Sequence, residues 1–194
     1  YFMSDSPVDS DKRTWLIASG CAGAAGAGFA AVPFVASFAP SERAKAAGAA
    51  VEVDIGTLRP GEMTTVEWRG KPVWILKRTP EQVAELPKLD AKLADPDSRR
   101  KPDELTPEYA RNKARSIKPE VLVAVGICSH LGCSPTAKLQ AGAQPSLPED
   151  WQGGFFCPCH GSTFDMAGRV FKNKPAPDNL QVPPYAFLSD TRLI

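Results

Sequence analysis

The chain has 194 residues, enough for one domain of ordinary size with an appendage. With 23 basic and 22 acidic side chains the net charge is +1, so there is no bulk electrostatic case for nucleic-acid binding. A mean hydropathy of −0.22 excludes a polytopic membrane protein, 19 prolines argue against an all-helical bundle, and any chemistry that needs histidine has only His130 and His160 to use.

Residues 1–13 are mostly polar and end in Lys12-Arg13, and from Thr14 to Ser41 no side chain is charged. Trp15–Phe38 would be about 36 Å long as a helix, enough to cross a bilayer. Residues 14–40 therefore read as a single transmembrane anchor. Competing readings are a cleaved export signal, with Ala44-Lys45-Ala46 as a weak cleavage match, and a buried soluble helix. The third is disfavoured because nothing amphipathic marks a wet face. Ala24 and Gly28 have the spacing that lets another helix approach closely, and Pro33 is a candidate kink. Cys21 lies in this segment and reads as a small apolar side chain. The basic pair ahead of the span predicts residues 1–13 in the cytoplasm and the bulk of the chain on the other side. Lys12-Arg13-Thr14-Trp15-Leu16 also resembles a twin-arginine export signal with Lys for the first Arg, which would suit export of a domain already folded around a cofactor.

Residues 41–50 read as a flexible linker that spans up to ~33–36 Å when extended. From 51 to 194 the pattern is short strands between turn signals: Val51–Asp54, Thr64–Trp68, Val73–Lys77, the apolar run Val121–Ile127, then Phe155-Phe156, Arg169–Phe171, Leu180–Val182, Tyr185–Leu188 and Thr191–Ile194. Such a pattern suggests an antiparallel sandwich or barrel. Two helices interrupt it. Thr79-Pro80-Glu81-Gln82 has capping-box spacing and predicts a helix from Pro80, and Thr106-Pro107 predicts another running to about Lys113. Between them, Asp95–Glu104 reads as a solvated excursion.

Two clusters carry the chemistry: Cys128-Ser129-His130-Leu131-Gly132-Cys133 and Cys157-Pro158-Cys159-His160-Gly161-Ser162. Each follows a candidate strand, so each lies on a loop where ligands can converge. A tetrahedral zinc site of two Cys and two His is chemically possible, but zinc fingers usually place both Cys on one arm and both His on the other. Here each arm offers Cys and His together, which suits a [2Fe–2S] centre with two Cys on one iron and two His on the other. If the loops face each other, Cys133 and Cys159 can form a disulfide, which would imply an oxidising compartment.

Both clusters closely resemble the two boxes of the Rieske iron–sulfur subunits of cytochrome bc1 complexes. The resemblance extends over nearly the whole chain: basic N-terminus, anchor, linker, the Arg69-Gly70-Lys71-Pro72-Val73 turn, both boxes, and Lys174-Pro175-Ala176-Pro177-Asp178-Asn179-Leu180, which is similar to the family's proline loop over the cluster. The resemblance implies a mainly β fold, with an antiparallel β-sandwich head at 51–194, a cluster-binding part at about 128–178, and one N-terminal transmembrane helix. Cys128 and Cys157 would bind one iron and His130 and His160 the other, with Cys133 and Cys159 paired. Ser162 would donate to a bridging sulfide, and Phe164 replaces a tyrosine that in many relatives donates to a ligand sulfur. The activity implied is ubiquinol–cytochrome c reductase. His160 would take a proton and the cluster an electron from quinol, Leu131, Pro175 and Pro177 would form an apolar docking tip, and the head would swing on its linker to reach cytochrome c1. The implied partners are cytochrome b, cytochrome c1, ubiquinol and the lipid bilayer, in a dimeric complex of the bacterial inner membrane with the head on the periplasmic side, and the electron flow would contribute to a proton gradient. Rival expectations are the Rieske small subunit of an arsenite oxidase, a free Rieske electron carrier, and a structural zinc protein. The segments 79–120 and 135–152 have no role legible in the sequence.

Overall fold

The computed structural model describes residues 9–194, so the expected cytoplasmic segment lies largely outside the described residues. Two compact units are present, one up to Ala46 and one from Ala47 onward. In the first, α1 (Ser10–Ala36) begins four residues ahead of the expected span, because the Asp9 carboxylate accepts the amides of Asp11 and Lys12 and caps it. Pro33 is accommodated within the helix, and the backbone turns out of it beyond Ala36. It is one helix among the described residues long and apolar enough to cross a membrane. Within the segment read as a linker, α2 (Glu42–Ala47) is a short helix with a Glu42–Lys45 ion pair, so these residues are not extended and the span of 41–50 is shorter than the expected reach.

The second unit is built on antiparallel pairings. β1 (Val53–Asp54) pairs with β8 (Arg192–Leu193), β2 (Met63–Trp68) pairs with β3 (Lys71–Lys77), and β3 pairs with β4 (Val121–Val125). A third sheet has the order β5 (Thr136–Lys138), β6 (Gly154–Cys157), β7 (Ser162–Phe164). The run of β-branched residues in β4 is buried on both faces, as its unbroken apolarity requires. Alternation along β3 and β4 divides the core in two. Trp74, Leu76, Leu122 and Ala124 pack with Phe155, Phe164, Cys128 and Cys157, whereas Val73, Ile75, Val121, Val123 and Val125 pack with Val182, Tyr185 and Leu193. Trp74 stacks on Phe155 at 4.8 Å, so the central sheet directly supports the strand that leads into the second box.

Two local expectations change, one holds, and one segment without a legible role gains a strand. Arg169–Phe171, Leu180–Val182 and Tyr185–Leu188 form isolated bridges and loop hydrogen bonds instead of strands. β5 lies in the segment 135–152 and adds an edge to the third sheet, where Trp151 Nε1 donates to Lys138 at 2.9 Å. The helix from Pro80 forms as α3 (Pro80–Glu85) with both capping-box bonds, and continues into a 3-10 turn. The helix expected over 107–113 does not form. α4 (Pro102–Leu105) and a 3-10 turn at Glu108–Ala110 replace it, because the Asn112 side chain binds the amide of Ala114 and the carbonyl of Ser116 in place of the helical ladder.

Candidate metal centre

The two boxes fold into the same turn. The Gly132 amide donates to the Cys128 carbonyl at 3.1 Å and the Gly161 amide donates to the Cys157 carbonyl at 3.0 Å. Both glycines sit at positive φ, +81° and +75°, which the spacing Cys-x-x-x-Gly places at equivalent corners. The first loop leaves the end of β4, and the second joins β6 to β7. Each turn buries its leading cysteine, and His160 is exposed while His130 is half-buried.

The loops meet. Cys133 and Cys159 form a disulfide across them, with Cα atoms 6.7 Å apart. Cys128 and Cys157 are free and only 2 % exposed. The His130 and His160 rings lie edge to face, with centroids 4.8 Å apart. Sulfurs of Cys133, Cys157 and Cys159 cluster within 4.8 Å, but two of them are consumed by the disulfide, so this trio is not a thiolate metal site. Burial pushes the Cys128 thiol up. The His130 amide pulls it the other way, the neighbouring Cys157 sulfur adds to the rise, and the Ser162 hydroxyl again opposes it. The two buried sulfurs are thus neighbours.

Around this tip Leu131 is 72 % exposed, and Pro175 and Pro177 are exposed on either side of the buried Ala176. The proline segment is pinned to both boxes. Ser162 Oγ accepts the Ala176 amide at 2.9 Å, and Ser129 Oγ donates to the Asp178 carbonyl at 2.6 Å. Phe164 is fully buried on β7, two residues beyond Ser162 and so on the same face of the strand.

Behind the second box three guanidinium groups are buried. Arg78 donates to Met166 and Ala114, Arg115 to Ala167, Gly168 and Leu180, and Arg169 to Leu86 and the Asp165 carboxylate. Burial pushes Arg78 and Arg115 down to about 10. Arg78 and Arg115 satisfy the carbonyls of Met166 and Ala167, whereas those of Asp165 and Gly168 also accept the amides of Gly168 and Leu180. Ser129, the Ala176 amide and these arginines were not singled out in the sequence. Ser129 stands inside the first box, but no periodicity marks the arginines.

Two buried thiols and two facing imidazoles, on paired loops closed by a disulfide, define a Rieske-type iron–sulfur protein. A family model described as the Rieske [2Fe-2S] domain matches residues 101–185. The ubiquinol-cytochrome c reductase iron-sulfur subunit of Allochromatium vinosum is 54% identical over 193 residues, covering 99% of this chain and 91% of the relative. That of Bradyrhizobium diazoefficiens is 41% identical, covering 94% and 92%. The mitochondrial Rieske-1 subunit of the cytochrome b-c1 complex from Arabidopsis thaliana is 45% identical over 147 residues, 75% of this chain and 45% of that one. The chain belongs to the family of ubiquinol–cytochrome c reductase iron–sulfur subunits. It is a membrane-anchored electron-transfer subunit of an oxidoreductase complex and carries a Rieske [2Fe–2S] cluster. The donor set fits that group, because the buried pair is sulfur and the outer pair is nitrogen.

Proposed function

We propose that Cys128 and Cys157 hold one iron and His130 and His160 the other, and that the chain oxidises a quinol in a pocket supplied by cytochrome b and delivers the electron to cytochrome c1. When bound, the cluster supplies one-electron chemistry at a potential raised by its two neutral imidazoles. His160 is exposed at the tip, so its imidazole nitrogen left free of iron can accept the proton of a quinol hydroxyl. Leu131, Pro175 and Pro177 form an apolar rim that docks against the pocket and excludes water from the proton path. The Cys133–Cys159 disulfide holds the loops together, and Ser162 would offer a hydroxyl donor to the cluster's sulfur. Lys12 and Arg13 at the start of α1 support a cytoplasmic N-terminus in a bacterial inner membrane, with the head on the periplasmic side, where a disulfide persists. Residues 41–50 act as the tether on which the head moves within a dimeric complex.

The observation that carries this reading is the pair of buried sulfurs beneath two facing histidines at an exposed apolar tip. The test uses membranes holding the assembled complex. Adding a quinol-site inhibitor is expected to shift the electron paramagnetic resonance signal of the reduced cluster, and His160→Gln is expected to abolish quinol-dependent cytochrome c reduction. An unshifted signal with full turnover in the variant would refute it.

A further inference from the structure

Residues 95–101 read in sequence as a solvated excursion, yet Asp95 and Ser98 are buried. The Asp95 carboxylate accepts the amides of Arg99 at 2.9 Å and Arg100 at 3.0 Å and ties the segment into a turn. Ser98 and Lys101 adopt φ of +53° and +43°, left-handed conformations that cost energy for residues with a side chain and persist only where the surroundings impose them. What this turn holds is the proline segment. Arg100 Nη1 donates to the Pro177 carbonyl at 2.7 Å, Lys101 Nζ pairs with the Asp178 carboxylate at 2.8 Å, and Asn179 Nδ2 donates to the Asp95 carbonyl at 2.9 Å.

On its other side the same segment meets both boxes. The Ala176 amide occupies a lone pair of Ser162 Oγ at 2.9 Å, which leaves that hydroxyl its proton to donate into the site between the boxes. Asp178 is bound through its backbone by Ser129. Residues 176–178 are therefore clamped between the charged turn and the two serines. The Asp178 side chain is only 10% exposed, so Lys101 is the cation that balances a carboxylate largely out of water.

We propose that Arg100 and Lys101 are positioning residues for the iron–sulfur site: by holding Pro177 and Asp178 they keep the Ala176 amide and the Asp178 backbone where the hydroxyls of Ser162 and Ser129 stay oriented. The proposal rests on the ligand assignment given under Proposed function. It gives the segment 79–120 a role in the chemistry of the site, because hydrogen bonds to cluster sulfurs set the reduction potential.

The experiment is a redox titration of the full chain in its membrane complex, followed by electron paramagnetic resonance at matched iron content. Lys101→Met is expected to lower the midpoint potential and broaden the signal, Arg100→Met with Lys101→Met to do so further, and Lys101→Arg to retain both. Lys88→Met, which breaks the exposed Lys88–Glu85 pair elsewhere on the segment, is expected to change neither. The charge-balanced pair Lys101→Met with Asp178→Asn separates positioning from simple charge: its potential is expected to stay low. A potential restored to that of the unaltered chain in this pair, or an unchanged Arg100→Met/Lys101→Met variant, would overturn the positioning role alone. An unaltered chain without a Rieske signal would overturn the ligand assignment and this proposal with it.

Discussion

The hydroxyl of Ser129 donates to the carbonyl of Asp178 at 2.6 Å and accepts the amide of the same residue at 3.3 Å, across 49 positions of sequence. One side chain of the first box thereby satisfies both backbone polar groups of a residue in the proline segment. Ser129→Ala leaves them without that partner in a part-buried site. The expected loss is about 1–2 kcal/mol in unfolding free energy, together with faster amide exchange over 174–179. Hydrogen exchange measured by mass spectrometry checks it, and unchanged exchange in that segment would contradict it.

The disulfide closes the loops through the same tip. Converting Cys133 and Cys159 to Ser removes a crosslink with a sequence separation of 26. Chain-entropy estimates for a loop of this size give about 3–4 kcal/mol. Thermal unfolding should show a lower midpoint, and cluster absorbance should be lost before the central sheet unfolds.

Phe164 lies on the same face of β7 as Ser162 and is fully buried. Its ring cannot donate a hydrogen bond. Phe164→Tyr is expected to raise the midpoint potential by adding a donor near a ligand sulfur. A redox titration that finds no rise would sink this expectation.

Burial pushes the Tyr185 hydroxyl up to about 12 from its ordinary 10. The folded chain then keeps this proton between those two values while the unfolded chain loses it. The stability it contributes is full below pH 10 and is lost as pH rises through about 12, a fall of up to ~2–3 kcal/mol. Tyr185→Phe should flatten this alkaline slope in denaturant titrations, at the cost of the bond that Tyr185 Oη accepts from the Ile117 amide. An equal slope in the variant would assign the loss to other groups.

Much of this architecture follows from short-range chemistry. The Val121–Val125 strand is legible because both its faces are buried, and α3 because Thr79 and Gln82 cap each other three residues apart. The two boxes are legible because each opens on Cys and reaches Gly four residues later with a His between them, and the turns need the Cys–Gly spacing. The helix expected at 107–113 fails because side chains outcompete the ladder: Asn112 binds nearby backbone, and Arg115 turns left-handed, with φ +49°, to reach the carbonyls of Ala167 and Leu180. Lys101 and Asp178 meet across 77 residues, and no local pattern connects them. Asp95–Glu104 reads as solvated from composition alone because Arg100 and Lys101 find their partners, Pro177 and Asp178, far outside the segment.

The central proposal is that Cys128, His130, Cys157 and His160 hold a [2Fe–2S] cluster and not zinc. Electron paramagnetic resonance of the dithionite-reduced chain tests it most directly. The expected spectrum has an average g below that of the free electron and hyperfine coupling to two nitrogens, one of which disappears in His130→Cys and the other in His160→Cys. A silent spectrum from protein that contains zinc and no iron would contradict it.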